Sequence, residues 1–404
     1  MGKNVKQRQP ADWTVSLEEF KRYMTGHDRL KDATSEVKSA IKRRGHEGII
    51  MVVGPTRVGK TTLLRGVINS ILLEKMSELE KDPGFLPAAW MEAYAYKRGY
   101  KWRDHWYGCL KAIYEPLIEH KSAGYGIAPD RNASHAPSDY KYEKEDILRR
   151  SFENAAQRRR TRVFGVDEAQ SLVLGSPSNL LRSHVEVIKS VANTSKALHI
   201  MCGNFDLLKL ANLSGQIGAR STKPIHFSRY HPNSKSDLES FTAVVLALAS
   251  KMPVSQPPKL DKPEILEYCL TMSLGLVGLL KVWFTDALGD VLENGRSTVT
   301  LKDLEKHEPP EDVLDTISKE IVEGEAQLVQ KKGKIGLIKL RMLKGAFFNE
   351  SEEVAPPPTE DDGKQSDTVT DNKNGGKKKT RRKKKVERDP ARDTVGAGRK
   401  RRAA

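Results

Sequence analysis

The stretch Gly48–Leu64, GIIMVVGPTRVGKTTLL, places the tightest limit on what this chain can fold into. Ile49–Val53 is an unbroken run of apolar residues rich in β-branched side chains, which is typical of a buried parallel strand. The next residues fit the pattern G-x-x-x-x-G-K-[ST] from Gly54 to Thr61, and the apolar spacing then becomes helical. A strand, a glycine-containing loop and a helix in this order predict a nucleotide-binding α/β domain.

The loop has the chemistry that a triphosphate requires. Gly54 and Gly59 allow the backbone to curl so that its N–H groups face a phosphate, beside the positive end of the helix dipole. Lys60 can reach the β- and γ-phosphates, and the Thr61 hydroxyl can hold Mg²⁺. The alternative, a chance glycine turn, is disfavoured by the flanking strand and helix. We therefore predict that ATP and Mg²⁺ bind at Gly54, Pro55, Thr56, Arg57, Val58, Gly59, Lys60, Thr61 and Thr62.

A second motif, RVFGVDEAQ, covers residues 162–170. Its apolar residues predict a strand, and Asp167 and Glu168 fall at the carboxyl end of that strand, where ligands bind in open α/β sheets. We predict that Asp167 holds Mg²⁺ through water and that Glu168 orients or deprotonates the attacking water. An acidic pair alone is weak evidence, but this pair ends a predicted strand about a hundred residues after the loop.

Two further candidates lie downstream. Asn204 follows the apolar run Leu198–Cys202 and could hydrogen-bond the γ-phosphate or the attacking water; it could also cap a following helix, since Asn is a favoured N-cap residue. Arg220 precedes a short apolar segment and could reach the γ-phosphate of a neighbouring subunit. The alternative for Arg220 is a structural or substrate-facing cation, and Arg229 is a second candidate for the same role.

The charge is large and uneven. The net charge is +16; residues 349–372 carry eight acids and one lysine, and residues 373–404 carry fifteen Lys and Arg against three acids. The body remains basic without this tail, which favours a polyanionic partner such as double-stranded DNA. In the aromatic and basic segment 96–107 we assign possible DNA contacts to Lys97, Arg98, Lys101 and Arg103, whereas its rings fit a protein core better than base stacking.

Cellular setting follows from cysteines and hydropathy. Cys109, Cys202 and Cys269 have no paired or metal-type spacing, which favours a reducing compartment. The N-terminus lacks the apolar region of a secretory signal. The apolar stretches around 241–249 and 274–280 are too short to span a bilayer. We therefore expect a cytoplasmic protein with no membrane partner.

The chain divides by composition into five segments. We predict an N-terminal arm at 1–26, loosely ordered with one amphipathic turn around Leu17 and Phe20. An α/β nucleotide-binding domain, with a parallel sheet flanked by helices, follows at 27–232, and a small helical lid at 233–310. A C-terminal extension is expected at 311–348. The acidic and then basic tail at 349–404 has a composition typical of disorder.

The order of P-loop, acidic strand, strand-end Asn, downstream Arg and helical lid resembles the AAA+ ATPases. In detail the chain is similar to the transposition ATPases of the TnsC and TniB family, which includes regulators of Tn7-like and CRISPR-associated transposons. The resemblance covers about residues 27–290. It is carried by GPTRVGKTTLL, LPAAWMEAYA with its aromatic sequel, VFGVDEAQSL and IKSVANTSKALHIMCGNFDLLKLANLSGQIGARSTKPIHFSRY.

The resemblance implies an ATPase that forms a homo-oligomer, a ring or helical filament, on double-stranded DNA. Such a protein recruits a transposase and reads a target-selection protein of the TniQ or TnsD type or a CRISPR effector, and ATP hydrolysis controls its disassembly. The matching residues are Lys60 and Thr61 of the P-loop, the Walker B acids Asp167 and Glu168, the sensor Asn204 and the arginine finger Arg220.

One feature departs from many AAA+ lids, which carry a Gly-x-x-Arg that touches the γ-phosphate. Here Gly275 and Gly278 are followed by leucines, and Lys281 is the nearest cation.

Two other functions stay open. One is a helicase loader or remodelling ATPase of the same fold, which would prefer single strands or a protein client. The other is a scaffold or signalling NTPase whose tail makes all the nucleic-acid contacts.

Overall fold

The fold is described from a computed structural model, for residues 10–45, 48–94, 99–122, 140–174, 176–213 and 223–343. The strands are β1 (Ile49–Val53), β2 (Ala88–Glu92), β3 (Val163–Asp167), β4 (Leu198–Gly203) and β5 (Ile225–His226). The first helices are α1 (Pro10–Arg22), α2 (Asp28–Arg44), α3 (Lys60–Glu74), α4 (Met76–Lys81), α5 (Trp102–Ala112), α6 (Ile118–Ser122), α7 (Tyr140–Arg158), α8 (Ser178–Ser195) and α9 (Leu208–Leu213). The later helices are α10 (Lys235–Ser250), α11 (Pro263–Met272), α12 (Val277–Glu293), α13 (Leu301–Lys306) and α14 (Glu311–Leu343).

Within these ranges the five strands form one parallel sheet in the order β2-β3-β4-β1-β5. Strands β1, β3 and β4 are buried along their whole length, as their continuous apolar runs predict. All five strands point the same way, so the ends of β1, β3 and β4 meet at one edge of the sheet. The predicted α/β class with a flanked parallel sheet is confirmed.

Helices cover both faces of the sheet. Helices α5, α7 and α8 pack on one face, around Trp106, Phe152 and Phe164. Helices α2 and α3 pack on the other face, together with Ile317 and Ile321 of α14. Val37 of α2 is fully buried against this second face. The P-loop therefore lies at the sheet edge, beside helices α2 and α3 from the first half of the chain and α14 from the second half.

Helices α10 to α13 have a hydrophobic core of their own, built around Trp283, Phe284 and Leu288. The N-terminal segment differs from the sequence prediction, because α1 is a helix of 13 residues that packs into this same core through Phe20. Burial of Phe20 to 2% exposure outweighs the weak helix propensity of the segment. A bidentate pair from Arg29 to Asp237, 2.6 Å to each oxygen, ties α2 to α10.

In the described part of the chain, no helix alone has the length and apolar character needed to cross a bilayer. The strongly bent pair Pro263–Met272 and Val277–Glu293 meets that test only when taken together, by length and composition. The sequence predicts a C-terminal extension at 311–348. In the described part of the chain, helix α14 runs without a break from Glu311 to Leu343.

Candidate nucleotide-binding and hydrolysis site

The P-loop joins the end of β1 to the start of α3, with Gly59 as the N-cap of α3. Lys60 is buried to 7% exposure, and its Nζ donates to the carbonyl oxygens of Gly54 at 3.1 Å and Pro55 at 2.8 Å. Burial lowers the pKa of Lys60, an effect opposed by the carboxylates of Glu168 and Glu320. A charged amine held this way within the loop is suited to an anionic ligand, which would satisfy it better than two carbonyls.

Thr61 and Asp167, the two predicted Mg²⁺ ligands, are in direct contact. The Thr61 hydroxyl donates to Asp167 Oδ2 at 2.6 Å. The second oxygen, Oδ1, is buried and has no hydrogen-bond partner. Burial raises the pKa of Asp167, so its ionised form is short of compensating partners. A carboxylate in this state fits a divalent cation.

The described ranges contain no group of three or more His, Cys, Asp and Glu side chains that could hold a metal by themselves. A nucleotide-linked Mg²⁺ needs only one or two protein groups plus phosphate and water. The donor set of a hydroxyl and a carboxylate is one that Mg²⁺ prefers.

Glu168 is connected to Asn204 through a residue that sequence analysis did not single out. Gln170 Nε2 donates to Glu168 Oε2 at 2.5 Å, and Gln170 Oε1 accepts from the Asn204 backbone N at 3.2 Å. Glu168 has a left-handed φ of 51°. This backbone conformation is sparsely populated and is often found at functional sites. The signal in the sequence that could have indicated this role is the position of Gln170, two residues after Glu168 in the motif RVFGVDEAQ.

Asn204 adopts the capping geometry that was one of its two predicted interpretations. Its Oδ1 accepts from the Asp206 backbone N at 3.0 Å, at the start of the short 3-10 turn Phe205–Leu207. The side chain is half-buried beside a cleft of about 330 Å³ between this turn and α14. The second interpretation, contact with the γ-phosphate or attacking water, stays a prediction.

The remaining predicted residues divide into three groups. Arg220, Lys97 and Arg98 lie outside the described residues. Lys101 and Arg103 are exposed at the start of α5, whereas the neighbouring rings Trp102 and Trp106 are buried at 9% and 1% exposure. The prediction that those rings belong to the core is confirmed. Arg229, the alternative finger, is occupied by Glu325 of α14, with Nε to Oε1 at 3.1 Å.

The helical lid contacts the P-loop through backbone. The Gly278 backbone N, in the first turn of α12, donates to the Arg57 carbonyl at 3.0 Å. A Cβ at Gly278 would collide with that carbonyl, so only glycine allows this approach. Lys281, the cation nearest to the missing Gly-x-x-Arg position, donates instead to the carbonyls of Lys21 and Tyr23 at the end of α1.

The sheet order, with the P-loop after β1 and an acidic pair ending β3, defines an AAA+ P-loop NTPase fold. Residues 43–210 match the family model described as AAA domain, which is less than half of the chain. An AAA domain with this site makes the chain an ATPase. No curated protein matches the sequence.

Several solved structures are similar to this chain at low identity. The ORC2 protein of Aeropyrum pernix is 13% identical, with TM-score 0.47, over 72% of this chain and 70% of that one. Cdc6p of Pyrobaculum aerophilum is 15% identical, with TM-score 0.46, over 71% and 68%. Domain III of Thermotoga maritima DnaA is 14% identical, with TM-score 0.41, over 71% and 94%.

Proposed function

We propose that this ATPase is a DNA transposition regulator that uses ATP as an assembly switch. It would oligomerise on double-stranded DNA when ATP is bound, recruit a transposase, read a target-selection protein, and disassemble after hydrolysis. The observation that carries the switch is the linked set Thr61–Asp167 and Glu168–Gln170–Asn204, which connects the P-loop to the ends of β3 and β4. The transposition role rests on the sequence resemblance to the TnsC and TniB family.

In the proposed reaction, the P-loop amides and Lys60 would bind the phosphates, and Thr61 and Asp167 would hold Mg²⁺. The cation supplies charge neutralisation on the β- and γ-phosphates when it is bound. Glu168 accepts a proton from water as the water oxygen forms a bond to the γ-phosphorus. The bond from that phosphorus to the bridging oxygen breaks, and ADP and inorganic phosphate leave.

Asn204 and Arg220 complete the proposed site. Asn204 would orient the water or the γ-phosphate, and Arg220 of a neighbouring subunit would neutralise charge in the transition state. Loss of the γ-phosphate removes contacts that only the ATP state makes, and this difference lets a nucleotide bias an assembly. Hydrolysis would therefore act as a timer for release from DNA.

The proposed DNA contacts are Lys97, Arg98, Lys101 and Arg103. What supports them is the basic body of the chain and the exposure of the last two residues. Contacts of this kind are made to the phosphate backbone, so binding should be salt-dependent and weakly sequence-specific.

The test is DNA binding by the full chain with ADP and with a non-hydrolysable ATP analogue, on double and single strands of equal length. Transposition regulation predicts tight binding to double strands with the analogue only, and loss of binding in Lys60→Ala. Preference for single strands would favour a helicase loader. A chain shortened to residues 1–348 serves as the tail control, since binding that ignores nucleotide and vanishes with the tail would favour the scaffold alternative.

A further inference from the structure

Helix α14 reaches back over the P-loop and places a carboxylate on it. Glu320 Oε1 accepts a hydrogen bond from the Thr56 backbone N at 3.1 Å. The backbone N–H groups of this loop are the groups that bind phosphate in a P-loop. An acidic side chain from 264 positions along the sequence thus occupies a backbone donor of the predicted phosphate-binding loop.

A second acidic residue of the same helix pairs with a cation of the nucleotide-binding domain. Glu325 pairs with Arg229 at 3.1 Å, and both side chains are largely buried, at 25% and 20% exposure. Two carboxylates of one helix therefore meet two positive features of the nucleotide-binding domain, a loop amide and an arginine. Partly buried pairs of this kind fix register better than exposed ones do.

The docking of α14 depends on close packing as well as charge. Ile317 and Ile321 are buried at 7% and 3% exposure in the core that also contains β1 and α3. Gly324 faces the ring of Phe205, which follows β4, and a Cβ at position 324 would collide with that ring. Since Phe205 is itself 3% exposed, the ring has little room to move aside. The helix therefore packs in one defined position on the nucleotide-binding domain.

We propose that α14 is a self-inhibitory cover of the nucleotide site, in which Glu320 competes with the triphosphate for the P-loop. This inference rests on the proposed phosphate-binding role of the loop and adds a regulation to it. Nucleotide binding would require Glu320 to leave Thr56, since a carboxylate and a phosphate group on the same loop repel each other. The apparent affinity for nucleotide is then reduced by the fraction of molecules in which α14 is docked.

Three substitutions in the full chain separate the contributions. Glu320→Ala removes both charge and acceptor, and Glu320→Gln removes the charge but keeps an acceptor. Gly324→Ala does not change the residue Glu320, and it favours helix formation. The added methyl group prevents α14 from packing against Phe205. Glu311→Gln, an exposed carboxylate in the first turn of the same helix, is the matched control.

The first measurement is the dissociation constant of a non-hydrolysable ATP analogue, by calorimetry. We expect Glu320→Ala and Gly324→Ala to tighten binding about three- to ten-fold, Glu320→Gln to give a smaller gain, and Glu311→Gln to give none. Equal affinity in the wild type, Glu320→Ala and Gly324→Ala would overturn the inference. Absence of binding in every variant would instead contradict the nucleotide-binding role on which the proposed function rests.

The second measurement uses the wild type and does not depend on any variant folding. Hydrogen exchange is followed at residues 311–328 with and without the ATP analogue. Displacement predicts that saturating nucleotide increases exchange in this part of α14 while it protects the P-loop. If α14 stays equally protected when nucleotide is bound, the helix is a structural buttress and the inference fails.

Discussion

The hydroxyl of Thr61 donates a 2.6 Å hydrogen bond to Asp167, so the first turn of α3 is joined to the last residue of β3. These residues are 106 positions apart, and β4 lies between β1 and β3 in the sheet. The contact aligns the P-loop with the acidic end of β3. Because Asp167 Oδ1 is buried without a partner, the pair is poised for a positive ligand.

Asp167→Asn tests that assignment. The amide oxygen can still accept from Thr61, but the charge is lost, so we expect nucleotide binding to become independent of Mg²⁺. Burial raises the pKa of Asp167, which means that its ionised form destabilises the fold at neutral pH and protonation stabilises it as the pH falls. The variant should therefore have a higher melting temperature than the wild type without ligand. A lower one would contradict the account.

Glu168→Gln should separate hydrolysis from binding. Loss of a positioned general base lowers kcat by roughly 10²–10⁴-fold, while affinity for the ATP analogue is retained. Under the proposed function the variant also stays on DNA longer. Steady-state ATPase assays and DNA dissociation rates check both points. Glu186→Gln, which changes an exposed carboxylate on α8, is the control, and normal turnover in Glu168→Gln would refute the base assignment.

Gln170→Leu tests a positioning residue. The substitution keeps the size of the side chain but removes both the hydrogen bond to Glu168 and the acceptor for the Asn204 N. We expect kcat to fall about ten-fold with little change in KM, because Glu168 loses its fixed orientation. The unpaired backbone N should cost about 1–3 kcal/mol of stability. Gln157→Leu, on the exposed end of α7, gives the matched comparison.

The DNA proposal is tested by charge reversal at Lys101 and Arg103. Both side chains are exposed, so the double change to Glu alters the charge at the protein surface. The affinity for double-stranded DNA should fall, and the slope of log affinity against log salt should decrease by about two. Reversal of Lys262 and Lys302, two exposed cations of the lid, is the control and should change neither quantity by as much.

Buried histidines predict a pH dependence of stability. Burial lowers the pKa of His27 and of His199 to about 4 and that of His105 to about 3. In the unfolded chain these histidines bind protons near pH 6.5, whereas in the folded chain they stay neutral at that pH. The free energy of unfolding is therefore highest above pH 6.5 and falls between about pH 6.5 and 4. Denaturant titrations across this range measure the slope. His199→Leu should reduce the slope by about one proton, and an unchanged slope would contradict the burial.

Much of the site could be predicted because its chemistry is local in sequence. The P-loop follows its strand directly, and Asp167 ends its strand, so residue type and spacing were sufficient to place both at one edge of the sheet. The bounds of α2 also follow local signals, namely the apolar spacing along the helix and the Gly45 that comes after it.

The contacts that were missed depend on packing between distant segments. No local pattern indicates that Glu320 reaches Thr56 or that Gly324 seats against Phe205. The helix α1 was underestimated because its stability comes from burial of Phe20 in the core of the lid. Gln170 was present in the quoted motif, but its bridging position follows from the approach of β4 to β3.

The hydrogen bond from Gly278 to the Arg57 carbonyl has a consequence for signalling between domains. Arg57, whose peptide group carries this carbonyl, holds a left-handed φ of 68°, which is a strained conformation for a residue other than glycine. If phosphate binding rotates that peptide, α12 loses its anchor at once. The hydrogen bond thus ties the position of α12 to the main-chain conformation of the loop.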